Sequence, residues 1–137
     1  MSKKPSDLFS NTIGDKIAHP QQELNLASIQ ENIRQLTKDY PLSPGGEFGK
    51  AGKSSGVRVI EANDQFKTAQ DFWLKLSKGG EELYLPNKKG KKVIFPDGSI
   101  STYRIITSTK NSPAIEIYVY HNNSKIKMKK IHFVRKD

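Results

Sequence analysis

A histidine, an arginine and several hydroxyl residues near the end of the chain could together perform proton transfer at a phosphate ester. His132 carries a side chain that titrates near neutral pH and can act as a general acid or base. Arg104 presents a planar fork of donors that matches a phosphate group. Attack by a ribose 2′-OH on phosphorus needs a group that moves the proton and cations that stabilise the transition state. The candidates for catalysis are therefore His132 and Arg104, with Thr107, Ser108, Thr109 and Ser112 as hydroxyl donors on one loop.

The charge distribution indicates a polyanionic partner for the same segment. Residues 88–137 hold 12 basic and three acidic side chains, whereas residues 1–87 hold 11 of each, so the whole excess of nine positive charges lies in the last 50 residues. A segregated cationic field attracts nucleic acid or an anionic membrane and speeds encounter. We predict RNA as the partner, with these residues binding it: Lys89, Lys91, Lys92, Ser108 and Lys130.

Several kinds of site are not expected from the composition. The chain has no cysteine, which removes disulfides, thiolate zinc ligands and cysteine nucleophiles. Its three histidines are far apart and show no metal-ligand spacing, so we expect neither a metal nor another cofactor. His19 in the polar N-terminal segment and His121 in a turn are weaker candidates than His132. No apolar stretch approaches the ~20 residues needed to cross a bilayer, and the N-terminus lacks a secretory signal pattern.

The first part of the chain predicts a helix followed by a linker. Ile29, Ile33, Leu36 and Tyr40 recur at steps of four, three and four residues, which predicts an amphipathic helix over about 24–39. Residues 41–56 are rich in glycine, proline and serine and are typical of a linker. We therefore divide the chain into a flexible leader, helix and linker over 1–56 and a compact basic domain over 57–137.

The second part predicts the elements that must position the candidate residues. A short strand over 57–60 precedes a helix over about 64–78, capped by Asn63 or Asp64 and stopped by a glycine pair. Strand and turn signals follow to the end of the chain, and from Ile100 to Thr107 the side chains alternate between two faces. We predict an α+β fold in which N-terminal helices pack on a four- or five-stranded antiparallel β-meander. The face away from the helix is expected to be polar and cationic.

A series of short motifs resembles the C-terminal toxin modules of bacterial polymorphic toxins, which occur in contact-dependent inhibition proteins and in LXG-type toxins. The similarity covers about residues 57–137, and the order of the motifs is more specific than any one of them. They are Val57-Arg58-Val59-Ile60, the Ala69–Phe72 helix segment with Gly79-Gly80, Leu85-Pro86-Asn87 with Lys89-Gly90, Pro96-Asp97-Gly98, Thr102-Tyr103-Arg104, Ser112-Pro113-Ala114 and Lys130-Ile131-His132-Phe133-Val134.

That group resembles the barnase, EndoU, colicin and RelE ribonuclease superfamily. The resemblance implies an N-terminal helix followed by a four-stranded antiparallel sheet. It also implies a metal-independent endoribonuclease toxin, directed at tRNA and neutralised by a dedicated immunity protein. Carried over to this chain, it points to His132 and Arg104, with Ser112 and Thr107 nearby. A secreted effector of this kind would act in the cytoplasm of a target cell and would be a monomer when free. Because no metal ligands are evident in the sequence, we expect a 2′,3′-cyclic phosphate on its product.

Two other functions remain open at this point. The chain could be a DNA nuclease toxin of the same delivery class, or a nucleic-acid-binding module without enzymatic activity. A passive sheet reader stacks bases on exposed aromatic side chains, for which Tyr84, Tyr103, Tyr118 and Tyr120 are the candidates. In that case His132 would have no special role.

Overall fold

The structure is a computed structural model that describes residues 28–119 and 129–137. The predicted leader and the beginning of the first predicted helix, over 24–27, lie outside these ranges. So do His19, His121 and Tyr120.

Two α-helices lie within the described residues. Helix α1 spans Ser28–Leu36 and α2 spans Gln65–Leu76. The Asp64 carboxylate caps α2 by accepting a hydrogen bond from the backbone N–H of Lys67 at 3.1 Å, as the sequence predicted. Neither helix has the length and apolar character needed to cross a membrane.

The described strands are β1 (Lys50–Ala51), β2 (Val57–Ala62), β3 (Glu81–Tyr84), β4 (Gly90–Ile94), β5 (Ile100–Arg104), β6 (Ala114–Tyr118) and β7 (Lys129–Arg135). They form one seven-stranded sheet in the order β1-β2-β7-β6-β5-β4-β3. Each neighbouring pair is antiparallel except β2 and β7, which run parallel. A single 3₁₀ turn, Pro86–Lys88, precedes β4.

The α+β class is confirmed, but the predicted four- or five-stranded meander with all helices first is wrong. The sheet has seven strands, and α2 lies between β2 and β3 in the chain. Strand β2 extends the sheet by pairing in parallel with β7, with Val59 opposite His132. Local sequence patterns carry no information about a pairing between segments so far apart in the chain, because partner and direction are set by the packed whole.

Phe72 of α2 lies at the centre of the hydrophobic core. Its ring centroid lies 5.2 Å from those of Tyr40 and Phe48 and 5.5 Å from that of Phe133. Leu36 of α1 is also fully buried and belongs to the same cluster. The core therefore includes residues on both sides of the boundary that the sequence predicted between residues 56 and 57.

The two faces of the sheet differ in what they carry. One face packs under α2, and its buried side chains include Tyr103, Ile115 and Ile131. Because successive residues of a strand point to opposite sides, the intervening residues form the other face, which we call the open face. No described helix packs on it. Its central members are Lys92, Ile94, Ile100, Thr102, Arg104, Ala114, Glu116, Tyr118, Lys130 and His132.

Replacing Phe48 by alanine tests whether the segment before β2 belongs to the folded unit. Phe48 is 3% exposed and packs edge-on against Phe72, so Phe48→Ala is expected to lower the free energy of unfolding by about 3–5 kcal/mol. The matched control is Phe66→Ala, since Phe66 is 41% exposed and should cost far less. Urea denaturation measures both. A loss below about 1 kcal/mol for Phe48→Ala would place this segment outside the core.

Candidate functional site

Strand pairing places Arg104 and His132 in one cross-strand row on the open face. Arg104 of β5 lies opposite Ala114 of β6, and Ala114 lies opposite His132 of β7. Directly paired residues of antiparallel strands project from the same face. Two inter-strand spacings separate the Arg104 and His132 backbones by about 10 Å. Only the methyl group of Ala114 stands between their side chains on β6.

The His132 ring is oriented by Ser112. The Ser112 hydroxyl lies 2.8 Å from Nδ1 of His132, a hydrogen bond whose direction depends on the tautomer of the ring. Ser112 itself is buried, and the carbonyl of the next residue, Pro113, accepts a hydrogen bond from the N–H of Phe133 at 2.9 Å. With Nδ1 engaged, Nε2 is the ring nitrogen left for a substrate. The sequence predicted Ser112 as a catalytic residue, and the structure places it where it positions the histidine.

Burial lowers the pKa of His132 below its ordinary value of about 6.5, and the positive charge of Lys130 lowers it further. A hydrogen bond to the backbone of Ser112 and the negative charge of Glu116 act in the opposite direction without offsetting these effects. The imidazole is therefore mainly neutral at pH 7 and can accept a proton.

Glu116 holds the Arg104 side chain over the open face. One carboxylate oxygen of Glu116 lies 3.6 Å from Nε of Arg104 and accepts a hydrogen bond from the Thr102 hydroxyl at 3.0 Å. The Arg104 and Glu116 side chains are 45% and 32% exposed, so their ion pair is partly solvated and weak.

The predicted lysines divide between the two faces of the sheet. Lys92 and Lys130 lie in the next cross-strand row of the open face, on either side of Thr102 and Glu116. Lys91 projects from the opposite face, where its ammonium group lies 3.9 Å from the Glu82 carboxylate. Lys89 is exposed in the turn before β4. The structure therefore groups Lys92 and Lys130 with Arg104 and His132 but does not bring Lys91 to them.

The loop between β5 and β6 contains the remaining predicted residues. The Thr107 hydroxyl donates to the Ser112 carbonyl at 2.8 Å and accepts from the Thr109 N–H at 3.1 Å, so it orders the loop. Ser108 is exposed. The loop and Phe66 of α2 line a cavity of about 400 Å³ at the end of the sheet that carries Arg104.

The aromatic residues proposed for base stacking differ in whether they are exposed. Tyr103 is buried under Trp73, with ring centroids 5.6 Å apart, so it cannot receive a base. Tyr118 is exposed on the open face. Tyr84 is exposed on β3, at the edge of the sheet.

Sequence reasoning missed Glu116 and Thr102 as members of the site. Glu116 is an acidic residue inside the β-branched and aromatic run of β6, and this interruption was the available signal. An isolated charge in such a strand must project from the solvent side, and it lies opposite Lys130 in the pairing of β6 with β7. Its partners on β5 became identifiable only from the register.

Comparison of the chain with known protein families, curated proteins and solved structures finds no match in any of the three. Within residues 28–119 and 129–137, no group of three or more His, Cys, Asp or Glu side chains could hold a metal ion.

The lowered pKa of His132 predicts how stability depends on pH. Between the folded pKa and about 6.5 the unfolded chain binds more protons at this residue than the folded chain does. The stability that the neutral ring contributes is therefore full above pH 6.5 and is lost as the pH falls through the folded pKa. On acidification, wild type should lose stability relative to His132→Gln, which cannot titrate. Urea denaturation from pH 5 to 8, with NMR titration of the ring, checks this. A His132 pKa at or above 6.5 would contradict it.

Proposed function

We propose that this chain is a metal-independent endoribonuclease whose active site is the open-face row of Arg104, Ala114 and His132. The proposal is supported by the placement of a hydrogen-bonded histidine with a lowered pKa and a half-exposed, weakly paired arginine on one face of the sheet, with only the buried Ala114 between them on β6. This arrangement combines a group for proton transfer with a group for phosphate binding.

In the proposed mechanism the scissile phosphate binds between the two side chains. Arg104 exchanges its Glu116 partner for two phosphate oxygens, and Lys92 and Lys130 bind neighbouring phosphates of the chain. The bidentate contact strengthens as charge builds up on the oxygens in the transition state, which is the condition for lowering the barrier. The two rows of side chains thus bind the backbone of the RNA and leave its bases to other contacts.

His132 takes the proton from the ribose 2′-OH in this scheme. With Nδ1–H donating to the Ser112 hydroxyl, Nε2 carries the lone pair that faces the substrate. The lowered pKa keeps that lone pair available at neutral pH. The 2′-oxygen then attacks phosphorus, the bond to the 5′-oxygen breaks, and the leaving 5′-oxygen takes a proton from water, which leaves a 2′,3′-cyclic phosphate and a 5′-hydroxyl. Glu116 stabilises the imidazolium that forms, because its charge favours the protonated ring.

The biological setting is proposed from the resemblance to polymorphic toxin modules. In this setting the domain is a secreted toxin, acts on tRNA in the cytoplasm of a target cell, and is neutralised by an acidic immunity protein that covers the open face. Helix α2 is followed by the consecutive antiparallel strands β3 to β7, which are five strands where the resemblance implies four. Helix α1 and strands β1 and β2 are outside that order.

Substitution of the two central residues tests the proposed chemistry. Incubated with total RNA in EDTA, the wild-type protein should cleave it. His132→Gln should lower kcat/KM by at least about 100-fold while RNA affinity changes little, because only proton transfer is lost. Arg104→Gln should lower both affinity and rate, since Arg104 contacts phosphate before and during the reaction. Gel electrophoresis and fluorescence anisotropy separate the two effects.

Arg34→Gln is the matched control for Arg104→Gln. Arg34 is an exposed arginine of α1 that pairs with Glu31 in its own helix, so its loss should change neither binding nor cleavage. Intact RNA with folded wild-type protein would contradict the enzymatic proposal and leave a binding module. Cleavage of plasmid DNA in place of RNA would identify a DNA nuclease.

A further inference from the structure

The cavity at the end of the sheet is lined by apolar side chains that the proposed chemistry does not use. Phe66 is 41% exposed, Ile105 is 40% exposed and Ile106 is 64% exposed, and all three line it together with the loop over 107–112. Large apolar side chains are seldom grouped in contact with solvent unless they meet a ligand or a partner. The cavity volume of about 400 Å³ is within the range of small-molecule sites.

The cavity borders the proposed active site at one shared residue, Ser112. Ile105 follows Arg104 directly in the chain, so the apolar wall begins where the phosphate-binding row ends. Ser112 both lines the cavity and hydrogen-bonds to the His132 ring. Ser112 therefore connects the cavity, whose Phe66 belongs to α2 on the other side of the sheet, to the residue that we propose for proton transfer.

The loop that forms one wall is held in a fixed conformation. Thr107 bonds to Thr109 and Ser112 within the loop, and the Gln65 amide of α2 donates to the carbonyl of Asn111 at 2.9 Å. The backbone of Asn111 has φ of 59°, a left-handed conformation that asparagine tolerates better than most residues. These contacts join the loop to the start of α2, so Phe66 and the loop form one preformed pocket.

We infer that this pocket binds an unpaired nucleobase next to the scissile phosphate and restricts the proposed nuclease to single-stranded RNA. A nucleobase is a flat group with apolar faces that is joined to its phosphate through one ribose. It stacks on aromatic side chains. Its polar edge would meet the hydroxyl and backbone groups of residues 107–112, and the exposed Lys110 adds positive charge at the rim. A base inside a duplex is covered on both faces and cannot enter. The inference rests on the proposed function, because the active-site row defines where the phosphate lies.

Binding experiments in a His132→Gln background test the pocket without cleavage. The probe is a short fluorescein-labelled single-stranded oligoribonucleotide, compared with the same strand carrying abasic sites and with its duplex. Phe66→Ala and Ile106→Ala should each weaken binding of the intact single strand by about tenfold, since the base loses its stacking surface. Their affinity for the abasic strand should be unchanged, because the phosphate contacts remain. The parent protein should bind the intact strand more tightly than the duplex or the abasic strand.

The matched control is Leu74→Ala, which removes an apolar side chain that is 59% exposed on the same helix but does not line the cavity. It should bind all three probes as the parent does. Equal affinity of the parent for intact and abasic strands, or unchanged binding by both pocket variants, would overturn the inference. Because these readouts require no cleavage, base-dependent binding by a protein that never cleaves RNA would remove the proposed enzymatic function and leave the pocket assignment standing.

Discussion

The pairing of β6 with β5 on one side and β7 on the other fixes the position of every central side chain in the candidate site. It aligns Arg104, Ala114 and His132 in one row and Thr102, Glu116 and Lys130 in the next. A shift of one residue in either pairing would turn the members of one strand to the opposite face. The proposed chemistry thus depends on register more than on any single contact between the side chains themselves.

The core on the other face of the sheet maintains this register. Ile115 and Ile131 pair with each other and are fully buried under α2, while Glu116 and His132, their neighbours in sequence, project to the open face. Slippage would expose these isoleucines and bury a carboxylate, which would cost several kcal/mol. Gly90 contributes at the neighbouring pair, because a Cβ there would overlap the carbonyl oxygen of Tyr103, so β4 can approach β5 closely beside Arg104.

Local patterns in the sequence correctly predicted the features that depend on neighbouring residues alone. The helix predicted over 64–78 corresponds to Gln65–Leu76, and the predicted alternation along β5 agrees with the buried Ser101 and Tyr103 and the more exposed Thr102 and Arg104. The parallel pairing of β2 with β7 and the burial of Phe48 within a glycine-rich segment depend on contacts between distant residues, which periodicity does not report.

The site was predictable to a similar extent. Arg104 and His132 were identified by their chemistry, but their common row required the register of two strand pairs. Lys91 and Lys92 carry the same charge, but their side chains project from opposite faces of the sheet. A count of charges could not show which of them lies on the open face. Glu116 was overlooked because it is the one acidic residue in an otherwise apolar strand. A charge count over the basic segment gives such a single residue little weight.

In the proposed mechanism, His132 and Arg104 promote attack of a ribose 2′-OH on the adjacent phosphate. The decisive measurement is mass spectrometry of the ends of RNA fragments produced by the full chain. This mechanism produces a 2′,3′-cyclic phosphate on one fragment and a 5′-hydroxyl on the other. Fragments that end in a 3′-hydroxyl and a 5′-phosphate would contradict it, because those ends arise from attack by water without participation of the 2′-OH.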